Sequence, residues 1–82
     1  MNYSDKKCIK GFYYDIVIEN GIVSFSEYED NPRGRNNGTS CDLKEFNEKS
    51  SEDALRVHCL IKELLGEKEL EKLIQIVKNH FS

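Results

Sequence analysis

Arg33 and Arg35, one residue apart in the run Asp30-Asn31-Pro32-Arg33-Gly34-Arg35-Asn36-Asn37-Gly38, are the side chains of this chain best suited to recognition chemistry. A guanidinium is a planar fork of donors that grips phosphate or carboxylate with two parallel hydrogen bonds. Glycine between two such forks gives the backbone freedom to aim both. Tyr13 and Tyr28 add an aromatic platform, and Asp15 a carboxylate beside it. Aromatics, arginines and acids on a flat strand surface suit protein recognition. Stacked aromatics next to cations also suit single-stranded nucleic acid.

The remaining chemistry-bearing residues converge less well. Cys8, Cys41, Cys59, His58 and His80 invite a metal reading. His58 and Cys59 are neighbours on an expected helix, where adjacent side chains diverge by about 100°. Zinc sites draw on closely spaced ligand pairs, and none is present, so no metal is expected. An odd cysteine count without a CxxC pair is also a poor disulfide framework. A Cys41–His nucleophile pair would need a lowered thiol pKa, and nothing around Cys41 reads as a helix N-terminus. No candidate oxyanion hole is visible. Neither a catalytic nor a cofactor motif stands out, and the expectation is a protein that is not an enzyme and carries no cofactor.

These residues need elements to position them. Phe12 to Tyr28 holds two β-rich runs flanking Asn20-Gly21. That dipeptide favours a type I′ turn, which requires positive φ at both central residues. The turn sets the register. Ile18 faces Val23, Ile16 faces Phe25, Tyr14 faces Glu27 and Phe12 faces Glu29. The other face sets Glu19, Val17, Asp15 and Tyr13 against Ile22, Ser24, Ser26 and Tyr28. One face is strongly apolar and has to be covered.

The C-terminal part supplies the cover. Ser50 reads as a helix cap with Asp53 at the third helical position. Ala54, Val57, His58, Ile61, Leu64 and Leu65 line one side of that helix, and Leu55, Cys59 and Leu60 widen its apolar arc. Gly66 reads as a C-terminal cap. Leu70, Leu73, Ile74, Val77 and Phe81 then form a single stripe on a second helix. A connection that short implies an antiparallel helical hairpin. Between the two halves, residues 30–40 read as a long loop, with Asn37-Gly38 as a second turn signal. Thr39, Cys41 and Leu43 alternate and leave open a short third strand, although Leu43 and Phe46 also suit a helical turn. Met1 to Lys7 reads as frayed.

The expected fold is α+β over residues 1–82: an antiparallel β-hairpin at 10–29, a loop with an optional short strand at 30–49, and a helical hairpin at 50–82, sheet packed on helices. With 82 residues, 33% charged, 38% hydrophobic and a net charge of −3, the chain is an ordinary globular mixture, without the basic excess of a dedicated nucleic-acid binder. No apolar run approaches the ~20 residues of a membrane span, and the N-terminus lacks the apolar core of a signal peptide. Reduced cysteines and no leader make the cytoplasm the simplest compartment. The Lys, Glu, Asn and Ile bias fits a bacterial or phage source. The functional expectation is a small non-enzymatic protein-binding module that inhibits or regulates a larger protein, of the anti-defence or immunity type that phages and mobile elements encode. Tyr13, Asp15, Tyr28, Arg33 and Arg35 are its candidate contacts. The acids Asp15, Glu19, Glu27, Glu29 and Asp30 would imitate phosphates if the target handles nucleic acid. The alternatives are a small nucleic-acid-binding regulator using the Arg33/Arg35 loop and a structural homodimer subunit.

Overall fold

The computed structural model describes residues 1–29 and 36–82. The elements run β1 (Tyr3–Ile9), β2 (Phe12–Glu19), β3 (Ile22–Glu29), β4 (Asn36–Asp42), α1 (Leu43–Glu48), α2 (Glu52–Leu65) and α3 (Glu67–Phe81). The strands form one antiparallel meander in the order β1-β2-β3-β4. The helices pack against one face of it, and the class is α+β as the patterning implies.

The β2–β3 register agrees pair by pair with the one the turn dictates, from Phe12 opposite Glu29 to Glu19 opposite Ile22. Asn20 and Gly21 have φ of 54° and 77°, the positive pair of a type I′ turn. Lys10 and Gly11, with φ of 51° and 84°, repeat that geometry between β1 and β2.

The N-terminal segment is a correction. Residues expected to fray form β1, which pairs with β2 from Tyr3 opposite Ile18 to Ile9 opposite Phe12. An edge strand needs only one partner's backbone, and here its half-exposed side chains find local anchors. Tyr3 packs on the core, and the Lys7 ammonium meets the Glu69 carboxylate of α3 at 2.9 Å. β4 is the optional strand, longer than its alternation suggested. Asn37 and Gly38 are not a turn within it, since they pair with Glu27 and Ser26 of β3. Cross-strand pairing overrides the local preference of that dipeptide. The alternation stops at Asp42, whose side chain caps α1 by accepting from the Lys44 amide at 2.9 Å, so Leu43 joins a helix. The Leu43 amide also donates to the Gly21 carbonyl at 2.8 Å, tying α1 to the β2–β3 turn.

The cap of α2 is Ser51 rather than Ser50: its hydroxyl accepts from the Ala54 amide at 3.1 Å. Gly66 alone separates α2 from α3. It takes φ 100° and ψ 161°, an extended conformation of positive φ open to glycine and little else. Its amide donates to the Ile61 and Lys62 carbonyls, and its carbonyl accepts from Leu70. The chain reverses there, and α2 and α3 pack together as the antiparallel hairpin.

The core lies between sheet and helices. Tyr14, Ile16, Ile18, Val23, Phe25 and Cys41 come from the strands, and Leu43, Phe46, Ala54, Val57, Ile61, Leu70, Leu73 and Val77 from the helices. The α2 arc is narrower than its composition suggests. Leu55 is 52% exposed and Cys59 faces solvent, because the sheet, α1 and α3 together cover only part of the helix girth. Phe81, last in the α3 stripe, is likewise 46% exposed.

Candidate functional site

The face of the sheet turned away from the helices carries the candidate contacts. Alternation along each strand brings Lys6, Asp15, Ser26 and Gly38 into one row across the sheet, and Ser4, Val17, Ser24 and Ser40 into the next. A third row sets Cys8 beside Tyr13 and Tyr28. Among the described residues no element packs over these rows.

Tyr13 and Tyr28 stand directly opposite on the two central strands. Their rings stack with centroids 5.4 Å apart and planes inclined by 17°. The Lys6 ammonium sits 5.2 Å from the Tyr13 centroid and 5.5 Å from that of Tyr28, within cation–π range of both. A hydrogen bond to Tyr28 holds the Lys6 pKa above its ordinary value, helped by the tyrosine charge and, less, by Asp15. Asp15 lies directly opposite Lys6. One of its carboxylate oxygens, Oδ1, is buried and meets no hydrogen-bond partner among the described residues. A buried acceptor without a donor is costly to leave so, and a donor brought by a partner would relieve it.

The rest of the face is small and hydroxylated. Ser24, Ser26, Gly38 and Ser40 flank a shallow depression. A methyl group on Gly38 would meet Ser26 Oγ at 3.5 Å and the Phe25 carbonyl at 3.6 Å, ordinary contacts. The face is thus flat without being closely packed at that point. Ile22, 41% exposed, and the half-buried Val17 give it apolar patches.

The structure brings Tyr13, Asp15 and Tyr28 together. Arg33 and Arg35 lie outside the described residues, as does Asp30. The acids expected to act together are split. Asp15 and Glu19 are on the open face, while Glu27 and Glu29 stand opposite Tyr14 and Phe12 on the helix side. Burial first, and then the nearby Glu27 carboxylate, raise the pKa of Tyr14 above its ordinary value. Lys6 is the neighbour of the tyrosine stack that sequence reasoning missed. Its signal was the Lys10-Gly11 turn, which reflects residues 3–9 back onto β2.

The cysteines and histidines do not assemble. Among the described residues no three His, Cys, Asp or Glu side chains gather as a metal site. All three thiols are free, with only Cys41 buried. A helix does begin just after Cys41, contrary to the sequence reading. Burial, with Glu45, Asp42 and Asp53 nearby, nevertheless pushes its thiol up to about 11, the wrong direction for a nucleophile. The Cys59 thiol donates to Glu63 at 3.4 Å. No helix among the described residues is long and apolar enough to cross a membrane. Comparison with protein-family models, with curated proteins and with solved structures finds no match to this chain.

Proposed function

We propose that this chain is a non-enzymatic protein-binding module that regulates or inhibits a larger protein through the open face of its sheet. The observation that carries this reading is the Tyr13–Tyr28 stack with Lys6 above it and Asp15 beside it, on the sheet face turned away from the helices. Tyrosines lend large, stiff contact area, and charged groups at their rim select the partner. The phosphate-imitating role narrows to Asp15 and Glu19, the two acids that share the open face with the tyrosines. A phage or mobile-element origin and a cytoplasmic site of action belong to this same proposal.

The test is capture of partners from host lysate on the immobilised chain, followed by calorimetry with the partner identified. Tyr28→Ala should weaken binding by at least ~2 kcal/mol, the mark of a hot spot. Lys72→Ala and Gln75→Ala, on the exposed side of α3, should leave it unchanged. The reverse pattern would move the interface to the helices and overturn the proposal. Direct binding of DNA or RNA that weakens steeply with salt would replace it with a nucleic-acid regulator.

A further inference from the structure

On the opposite side of the sheet, the helices enclose a cavity of about 240 Å³ between α1, α2 and α3. Phe46, Ile74 and Val77 give it an apolar wall, and Asn47, Lys49, His58 and Lys78 a polar one. Two of these residues are held in ways the fold alone does not call for.

His58 is only 7% exposed. Its Nε2 lies 2.9 Å from the Phe46 carbonyl. A carbonyl only accepts, so Nε2 carries the proton, and in the neutral ring Nδ1 is left as an acceptor. Nδ1 is buried and finds no partner among the described residues. Burial depresses the pKa of this histidine and the Lys49 charge lowers it further, against the hydrogen bond to Phe46. The free protein therefore presents a neutral ring with an unused lone pair. The ring is fixed by stacking on Phe46, centroids 4.2 Å apart.

Lys49 closes α1 in the left-handed conformation, φ 55° and ψ 41°. Glycine or asparagine is the ordinary residue there. A lysine accepts the backbone strain and places a cation where His58 feels it. Lys78 adds a second cation from α3, and among the described residues no carboxylate lines the cavity.

A ligand matched to these groups needs anionic oxygens for two ammoniums, an acidic hydrogen for Nδ1 and a compact apolar body. Carboxylates and sulfates at neutral pH have acceptor oxygens and no donor. A phosphomonoester, with its second pKa near ~6, has both in its monoanion. We propose that this cavity binds a small phosphomonoester. The phosphoryl group lies between Lys49 and Lys78, its hydroxyl donates to His58 Nδ1, and its organic part rests on Phe46, Ile74 and Val77.

The test is an NMR titration of the full chain at pH 6.5 with phenyl phosphate, phenyl sulfate and inorganic phosphate. Phenyl phosphate should saturate and shift the amides of Phe46, His58 and Val77, with at least tenfold higher affinity than either comparator. Lys49→Asn removes the cation and suits the left-handed backbone, so the variant should stay folded and bind at least tenfold more weakly. Lys78→Gln should weaken binding in the same sense. Arg56→Gln, elsewhere on α2, should change nothing. Absence of saturation, equal affinity for phenyl sulfate, or unchanged binding by folded Lys49→Asn would each overturn the proposal.

Discussion

Truncating Ile61 separates the side of α2 that holds the fold together from the side that only looks apolar. Ile61 is fully buried, whereas Leu55 on the same helix is 52% exposed. Ile61→Ala strips the γ and δ carbons. At ~0.8 kcal/mol per buried carbon the transfer part alone is about 2.4 kcal/mol. Ile61 packs in a core with Val57, Leu70 and Leu73, which relaxes only partly around the gap, so the expected loss is about 3–4 kcal/mol. A chain of this length has about 4–12 kcal/mol in total, so one truncation removes a large share. Leu55→Ala leaves no cavity, exposes little and introduces a better helix former, so its cost stays below about 1 kcal/mol. Urea titration followed by far-UV circular dichroism reads both, with the slope unchanged and the midpoint shifted. Equal losses at the two positions would refute the packing of α2 described above.

Four further outcomes are expected. Ser51→Ala should cost about 1 kcal/mol and Ser50→Ala less than half of that, because only Ser51 caps α2. Gly21→Val should cost about 1–3 kcal/mol through backbone strain alone, since nothing lies within 4 Å of a side chain there; Ser24→Val on the open face should be tolerated. For His58 the folded pKa is depressed by burial, so the unfolded chain binds its proton first. Its contribution to stability is complete above about pH 6.5 and declines as pH falls below that, visible between ~pH 7.5 and 5.5 before carboxylates titrate; a rise in urea midpoint over that descent would contradict the sign. Thiol labelling at pH 8 should modify Cys8 and Cys59 in the native protein and reach Cys41 only on unfolding, because Cys41 alone is buried.

The legible parts of this fold were those where a local rule and the tertiary structure agree. Asn20-Gly21 fixes a turn that fixes a register, and both faces of β2 and β3 follow from it. Tyr13, Asp15 and Tyr28 therefore fall on one surface from the sequence alone. β1 was hidden because its helix-side positions, Tyr3, Asp5, Lys7 and Ile9, alternate with residues just as polar. An edge strand with an ion pair for an anchor has no need of an apolar stripe. β4 was blurred by Asn37-Gly38, a turn dipeptide that pairing with β3 holds extended. The open face was readable as a pattern, yet its lack of a helical cover was not. That depended on all three helices choosing the other side. Lys6, and the convergence of His58, Lys49 and Lys78, come from segments distant in the chain, and no local spacing announces them.

The meander order has a kinetic consequence. Every strand in this sheet pairs with its neighbour in sequence, and two of the three connections are two-residue turns. Loop closure is therefore cheap at those two turns, and local strand pairing favours fast folding. The longest closure is between the sheet and the α2–α3 hairpin, with Lys7 and Glu69 joining distant parts of the chain. Changes at that seam, such as Leu73→Ala, should speed unfolding more than they slow folding. Changes at the Asn20-Gly21 turn should act mainly on the folding rate.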